Sequence, residues 1–138
     1  MRKKLEICGK EYEICSSAFT MFLYKKEFKT GIMADIGRLQ EFAITQENIS
    51  KEMEGQPEEE INKAVGLALM PQMDTYIEVV LRIAYVFIKC ANPSFIPFDE
   101  WLQEIEEFNL EDKWVSEVTE LAVNSFCGRG TVGTTKVD

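Results

Sequence analysis

Residues 74–92 read DTYIEVVLRIAYVFIKCAN, and this stretch decides the fold. From Ile77 to Ile88 every residue except Glu78 and Arg82 is apolar. The polar or amphipathic positions recur every three or four residues: Thr75, Glu78, Arg82, Tyr85, Lys89 and Asn92. On a helix this spacing forms one narrow strip and leaves the rest of the surface apolar. Such a helix belongs in the middle of a domain or in a membrane.

Two other interpretations of this stretch fit less well. A membrane span needs about 20 consecutive apolar residues, and Arg82 interrupts the run. The many β-branched residues would suit a buried strand, but strands usually end after about 4–8 residues. We therefore predict a central core helix over residues 75–91, with the other elements packed around it.

The length and the charge of the chain restrict its class. A chain of 138 residues fits one domain with its own core. The net charge of −9 argues against a nucleic-acid binder, because phosphate contacts need basic patches. We expect protein partners and no membrane. The charge is uneven: residues 1–30 carry +3, residues 31–70 carry −5 and residues 71–112 carry −7.

The N-terminal residues and the cysteines favour a cytoplasmic protein. The basic residues 2–4 are followed by polar residues where a secretory signal would need an apolar run. The four cysteines are Cys8, Cys15, Cys90 and Cys127. They form no CxxC pair, and the chain has no histidine. We therefore expect no zinc site, and we predict free thiols that pack mostly as small apolar groups.

The first predicted element is a β-hairpin over residues 4–15. Gly9 and Lys10 suit a two-residue type II′ turn, which needs glycine at its first central position. In that register Leu5 lies opposite Ile14, and Ile7 lies opposite Tyr12. All four side chains then share one face, which must lie against another element because an isolated hairpin is only marginally stable.

The next two predicted elements are helices. Ser16 or Ser17 caps the first helix, which ends at residues 30–31. Its predicted apolar face consists of Phe19, Phe22, Leu23 and Phe28. The second helix has its predicted apolar face at Ile32, Ile36, Leu39 and Ala43. Residues 45–56 are polar, and we predict a loop or a short helix there.

Three further helices are predicted in the remaining chain. One begins at Pro57, and Pro71 ends it or kinks it into the central helix. A short helix follows over residues 100–108, with Asp99 as its N-cap. The last helix begins at Asn109, where Asp112 completes a weak capping box.

The predicted fold is mainly α, with a single helical domain around the central apolar helix. It spans residues 1–126, with a small N-terminal β-hairpin at residues 4–15 and a helical body at residues 17–126. Residues 127–138 are rich in glycine and threonine and predict a flexible tail. The apolar excess of the central helix is buried either inside one chain or at the interface of a homo-oligomer.

No catalytic or metal-binding motif is present in the sequence. There is no histidine for general-base catalysis, no G-x-S-x-G and no phosphate-binding loop. The carboxylate-rich residues 99–112 lack the glycine and the spaced oxygens of a calcium loop, and we interpret them as a solvated acidic face. We therefore expect no cofactor, no metal and no enzymatic activity.

The best candidates for partner contacts are apolar residues beside prolines. Four of them follow the central helix: Phe95, Ile96, Phe98 and Trp101. They either cover one end of the core or form an exposed patch, and large exposed apolar surfaces tend to be binding sites. Met70 and Met73 flank Pro71, and methionine suits surfaces that accept varied apolar partners.

The layout of the chain resembles the tail assembly chaperones of long-tailed bacteriophages and prophages of Gram-positive bacteria. Residues 6–14, EICGKEYEI, are similar to the N-terminal hairpin of that family, and an acidic helical body follows. The segment PSFIPFDEWL at residues 93–102 and the short acidic helix after it resemble the end of the family pattern. The resemblance covers about residues 4–126 and rests on layout, since the family offers no invariant catalytic residue to compare.

The resemblance implies a binding function without catalysis. Members of this family coat the aggregation-prone tape measure protein, help to recruit tail tube protein around it, and leave before the virion is complete. The resemblance thus implies action in the cytoplasm of the bacterial host and absence from the mature virion. Many members are also made in a longer, frameshifted form, and the extension would join at residues 127–138.

Two other hypotheses remain open. The first is an acidic helical regulator or inhibitor, prophage-encoded, that occupies a basic surface of a partner. The second is an enzyme that uses carboxylates alone, which the missing histidine and the missing motifs disfavour. The position of the gene separates the first hypothesis from the chaperone, since a chaperone gene should lie between a tail tube gene and a long tape measure gene.

Overall fold

The computed structural model describes residues 2–109 and 112–126 of the chain. These residues form two strands and five helices. The elements are β1 (Arg2–Ile7), β2 (Lys10–Cys15), α1 (Ala18–Phe28), α2 (Ile32–Glu52), α3 (Glu58–Ala91), α4 (Phe98–Glu104) and α5 (Lys113–Phe126). The predicted mainly α fold with a small N-terminal hairpin is confirmed. The tail predicted at residues 127–138 lies outside the described residues.

The hairpin has the predicted faces but a different register. Its strands pair antiparallel with Leu5 opposite Tyr12, so the turn consists of Cys8 and Gly9 and does not include Lys10. The φ angles of Cys8 and Gly9 are 52° and 80°. A type I′ turn needs positive φ at both positions, whereas the predicted type II′ turn needs it only at the first. The register shift of two residues keeps the same four side chains buried: Leu5, Ile7, Tyr12 and Ile14.

The central helix is confirmed and is longer than predicted. α3 has 34 residues and joins the predicted central helix to the helix predicted from Pro57. Pro71 lies inside α3 and does not end it. A proline within a helix removes one backbone hydrogen bond, here the one to the carbonyl of Leu67. Leu67 is largely exposed, so this carbonyl lies on the solvent side of the helix.

The core surrounds the C-terminal half of α3. The buried residues of this half are Val79, Val80, Ile83, Ala84, Tyr85, Val86, Phe87 and Ile88. They are covered by β2, α1, α2 and α5, which all contact α3. Full burial of each large apolar side chain contributes roughly 1.5–3 kcal/mol. The apolar excess of the central helix is therefore buried within one chain.

Helix α1 is rotated relative to the prediction. Its buried residues are Thr20, Leu23 and Tyr24, which follow helical spacing. Phe19 is 58% exposed and Phe22 is 74% exposed, so the apolar face predicted for these two residues is wrong. The rotation follows from Tyr24, whose buried hydroxyl reaches a carboxylate on α2 and turns this side of α1 inward.

Helix α2 extends through most of the segment predicted as a loop or short helix. It continues to Glu52, and a short connection at residues 53–57 leads back into α3. Its buried residues end at Phe42, whose ring lies 4.2 Å from the ring of Tyr76 on α3. Ala43, which was predicted on the apolar face, is exposed. Beyond Phe42 the two helices therefore continue as a pair outside the core.

The last two helices are shorter than predicted. α4 ends at Glu104, and α5 begins at Lys113. The N-cap of α4 is Pro97, so Asp99 lies in the first turn and does not cap the helix. Among the helices in the described part of the chain, none combines the length and the apolar content that crossing a membrane requires.

Candidate partner-binding surfaces

The predicted partner-binding loop lies against the core. Trp101 is fully buried. Its three apolar neighbours are partly buried and pack on the core: Phe95, Ile96 and Phe98. Tyr85 of α3 anchors this loop, because its ring lies 5.8 Å from the ring of Trp101 and its hydroxyl donates to the Ile96 carbonyl at 2.7 Å. The structure therefore agrees with the interpretation in which this loop covers one end of the core. The side chain of Trp101 is not accessible to a partner.

The polar strip of α3 is an interface between helices. Asp35 of α2 is completely buried and accepts hydrogen bonds from the Tyr24 hydroxyl and from the Arg38 guanidinium. Arg82 of α3 lies 3.3 Å from the same carboxylate and 2.9 Å from Glu78. A buried carboxylate is tolerated when charged partners and hydrogen bonds surround it. This cluster therefore connects α1, α2 and α3.

Burial controls the titration of the tyrosine in this cluster. Burial raises the pKa of Tyr24 well above its usual value, and the hydrogen bond to Asp35 raises this pKa further. The tyrosine therefore stays neutral, and its hydroxyl donates a hydrogen bond to Asp35. This hydrogen bond from Tyr24 to Asp35 persists throughout the physiological pH range.

A second polar contact continues the strip toward the end of α3. Lys89 lies 3.0 Å from Glu27 of α1, and its ammonium group also lies 5.8 Å from the ring centre of Tyr85. The hydrogen bond to Glu27 raises the pKa of Lys89. Two residues of the polar strip, Arg82 and Lys89, thus bind carboxylates on α2 and α1 and connect these helices to α3.

The free ends of α2 and α3 form an arm, which comprises residues 43–70. Among its residues only Leu69 is buried. Three large apolar side chains of the arm are more than half exposed: Ile44 at 56%, Leu67 at 64% and Met70 at 64%. The arm also carries six glutamates against two lysines, a net charge of −4. It is therefore an acidic helical pair with apolar side chains in solvent.

The two methionines predicted for partner contacts differ in exposure. Met70 lies on the arm and is largely exposed, whereas Met73 is half-buried. Leu67 and Met70 are three residues apart on α3 and share one face of the helix. Leu67 was not among the predicted partner-binding residues, although its spacing of three residues from Met70 indicates a shared helix face.

A second exposed apolar surface lies on α1. It consists of Phe19, Met21 and Phe22, and we call it the α1 outer face. Three exposed lysines stand at the C-terminal end of α1 or just beyond it: Lys25, Lys26 and Lys29. The α1 outer face is therefore basic at one end, whereas the arm is acidic.

Several clefts lie on the surface of the described residues. The largest described cleft, of about 520 Å³, lies beside the hairpin turn and is lined mainly by charged side chains. Lys10 and Glu104 form an ion pair of 3.2 Å across it, and this contact raises the pKa of Lys10. Within residues 2–109 and 112–126, no cluster of three or more cysteine or carboxylate side chains is placed to hold a metal ion.

Comparisons of the chain with protein family models, with curated proteins and with solved structures found no match.

Proposed function

We propose that this protein is a tail assembly chaperone that binds a tape measure protein through the arm. The protein acts by binding alone and has no enzymatic activity. It keeps the tape measure protein soluble in the bacterial cytoplasm, helps to recruit tail tube protein, and is absent from the mature virion. The layout of the sequence, from the N-terminal hairpin to the segment at residues 93–102, supports the family.

The observation that carries the proposal is the exposure of large apolar side chains on an acidic helical pair. Ile44, Leu67 and Met70 lie in solvent on the arm. Exposed apolar groups of this kind suit the apolar face of a client helix, which is a common mode of recognition. The surrounding glutamates keep a complex soluble through charge repulsion. The arm thus supplies both properties that a chaperone of aggregation-prone helices needs: exposed apolar side chains and a net negative charge.

Co-expression with the tape measure protein of the same genome tests this proposal. The complex is analysed by size-exclusion chromatography with light scattering. We expect a soluble complex with several copies of the chaperone on each tape measure chain. A tape measure protein that precipitates while this protein elutes alone contradicts the proposal.

A pair of matched variants tests the role of the arm. Leu67→Ser with Met70→Ser removes two exposed apolar side chains, and each that is buried by a client contributes roughly 1.5–3 kcal/mol. We expect the affinity for the tape measure protein to fall at least tenfold. The control is Phe19→Ser with Phe22→Ser on the α1 outer face, which we expect to bind as the parent does. Equal losses in both variants would contradict a specific role of the arm.

The charge of the arm favours a second candidate function, an acidic regulator that occupies a basic partner surface. Six glutamates lie on the arm, and three of them are consecutive at Glu58, Glu59 and Glu60. The two functions differ in their response to salt. Binding through charge weakens steeply as ionic strength rises, whereas binding through apolar side chains does not. A partner that is released at 0.5 M salt would favour the regulator.

A further inference from the structure

Two cysteines that are distant in the sequence meet at the junction between the hairpin and the core. Cys15 is the last residue of β2, and Cys90 is the next-to-last residue of α3. Their sulfur atoms lie 2.7 Å apart. A disulfide bond has a sulfur–sulfur distance of about 2.05 Å. Closing the bond therefore needs a movement of only about 0.7 Å.

The surroundings of the pair assign different roles to the two sulfurs. Cys15 is 8% exposed, whereas Cys90 is half-buried and is the sulfur that a small oxidant reaches first. The Thr20 hydroxyl lies 3.4 Å from the Cys90 sulfur, and the Ser17 hydroxyl lies 4.0 Å from it. Burial and the contact with Cys90 raise the pKa of Cys15 to about 11, so Cys15 remains a thiol at neutral pH.

We propose that Cys15 and Cys90 are a redox-active pair that forms a reversible disulfide between β2 and α3. Hydrogen peroxide is the oxidant. The Cys90 thiol loses its proton, and its sulfur attacks one peroxide oxygen, which breaks the O–O bond and gives a sulfenic acid. The released hydroxide takes up the proton from Cys90 and becomes water. Cys15 then loses its proton and attacks the Cys90 sulfur, and the sulfenic oxygen leaves as water. The two thiols lose two electrons in total, and one peroxide becomes two waters.

The disulfide ties the hairpin to the end of the central helix. The cross-linked residues are 75 positions apart, and a loop of this length removes much chain entropy from the unfolded state. Oxidation is therefore expected to raise the melting temperature by about 10 °C. A dithiol reductant such as dithiothreitol should reverse this change. The pair lies outside residues 43–70, which form the arm, so this proposal does not depend on the proposed function.

Mass spectrometry of the full chain tests the proposal. The reduced protein is treated with one equivalent of hydrogen peroxide, alkylated and digested without reduction. We expect a peptide pair that links Cys15 to Cys90 and is lost after reduction. The proposal would be overturned if both cysteines were found alkylated after the peroxide had been consumed completely. A disulfide that joins either of them to Cys8 or Cys127 would also overturn it.

Two single variants separate the roles of the sulfurs. In Cys15→Ser, the sulfenic acid has no partner, so dimedone should trap it at Cys90. In Cys8→Ser, which removes an exposed thiol outside the pair, the Cys15–Cys90 disulfide should form as in the parent. If dimedone labels Cys8 and leaves Cys90 unmodified in Cys15→Ser, Cys90 is not the attacking sulfur and the proposal fails.

Discussion

At the scale of single residues, removal of Asp35 should destabilise the fold strongly. Asp35→Ala leaves the buried Tyr24 hydroxyl without its acceptor and takes the countercharge from Arg38 and Arg82. Breaking a buried charged pair costs about 3–5 kcal/mol. Because the Arg38 side chain is 51% exposed and the Arg82 side chain is 21% exposed, both can hydrate. We therefore expect a loss of about 3 kcal/mol in unfolding free energy, measured by urea denaturation.

Glu78 provides a matched control for this change. It also binds Arg82, at 2.9 Å, but its side chain is 58% exposed. Exposed ion pairs contribute about 0–1 kcal/mol, so Glu78→Gln should change the unfolding free energy by less than 1 kcal/mol. Equal costs for the two substitutions would show that the burial of Asp35 does not control the energetics of the cluster.

The role of Asp35 could have been predicted from the sequence. Asp35 falls on the helical face formed by Ile32, Ile36 and Leu39, and Arg82 interrupts an otherwise apolar helix. A carboxylate on a buried face and a lone arginine in a core helix are natural partners. The contact between Cys15 and Cys90 could not have been predicted, because the spacing of residues along the chain does not determine which residues meet across 75 positions.

At the scale of elements, the arm should be less stable than the rest of α2 and α3. From residue 43 to residue 68 no side chain is buried, and such segments open locally without global unfolding. Two glycines test this difference. A Cβ atom added at Gly37, in the core half of α2, or at Gly66, in the arm, would meet nothing within 4 Å. Both substitutions by alanine are therefore free of steric cost.

Gly37→Ala should raise the global unfolding free energy by about 1 kcal/mol, since alanine is the better helix former by that amount. Gly66→Ala should leave the global value unchanged and should slow hydrogen exchange in the arm instead. Urea denaturation and hydrogen exchange measure the two effects. A global gain from Gly66→Ala as large as that from Gly37→Ala would show that the arm unfolds together with the core.

The elements also show which structural features apolar spacing could and could not predict. Apolar spacing was enough to predict the hairpin face and the central helix, and the capping serine predicted the start of α1. Apolar spacing placed Phe19 and Phe22 inside, because it counted phenylalanine as core and gave no weight to Tyr24. The hydrogen bond of Tyr24 to Asp35 is a tertiary contact, and it decides which side of α1 faces the core.

At the scale of the whole molecule, the structure separates a compact core from a projecting arm. The core buries the hairpin face, the C-terminal half of α3 and the aromatic loop around Trp101. The predicted binding residues are therefore divided: Trp101 lies in the core, and Met70 lies on the arm. The sequence could not show this division, because exposed and buried apolar residues look alike until their neighbours in space are known.

In the proposed complex the client lies on the arm, and hydrogen exchange with mass spectrometry tests this most directly. The free protein and its complex with the tape measure protein are compared under identical conditions. We expect slower exchange in the complex across residues 43–70, with little change in the C-terminal half of α3, which is already buried. Protection confined to the α1 outer face, or no protection anywhere in a stable complex, would contradict the assignment of the arm as the binding surface.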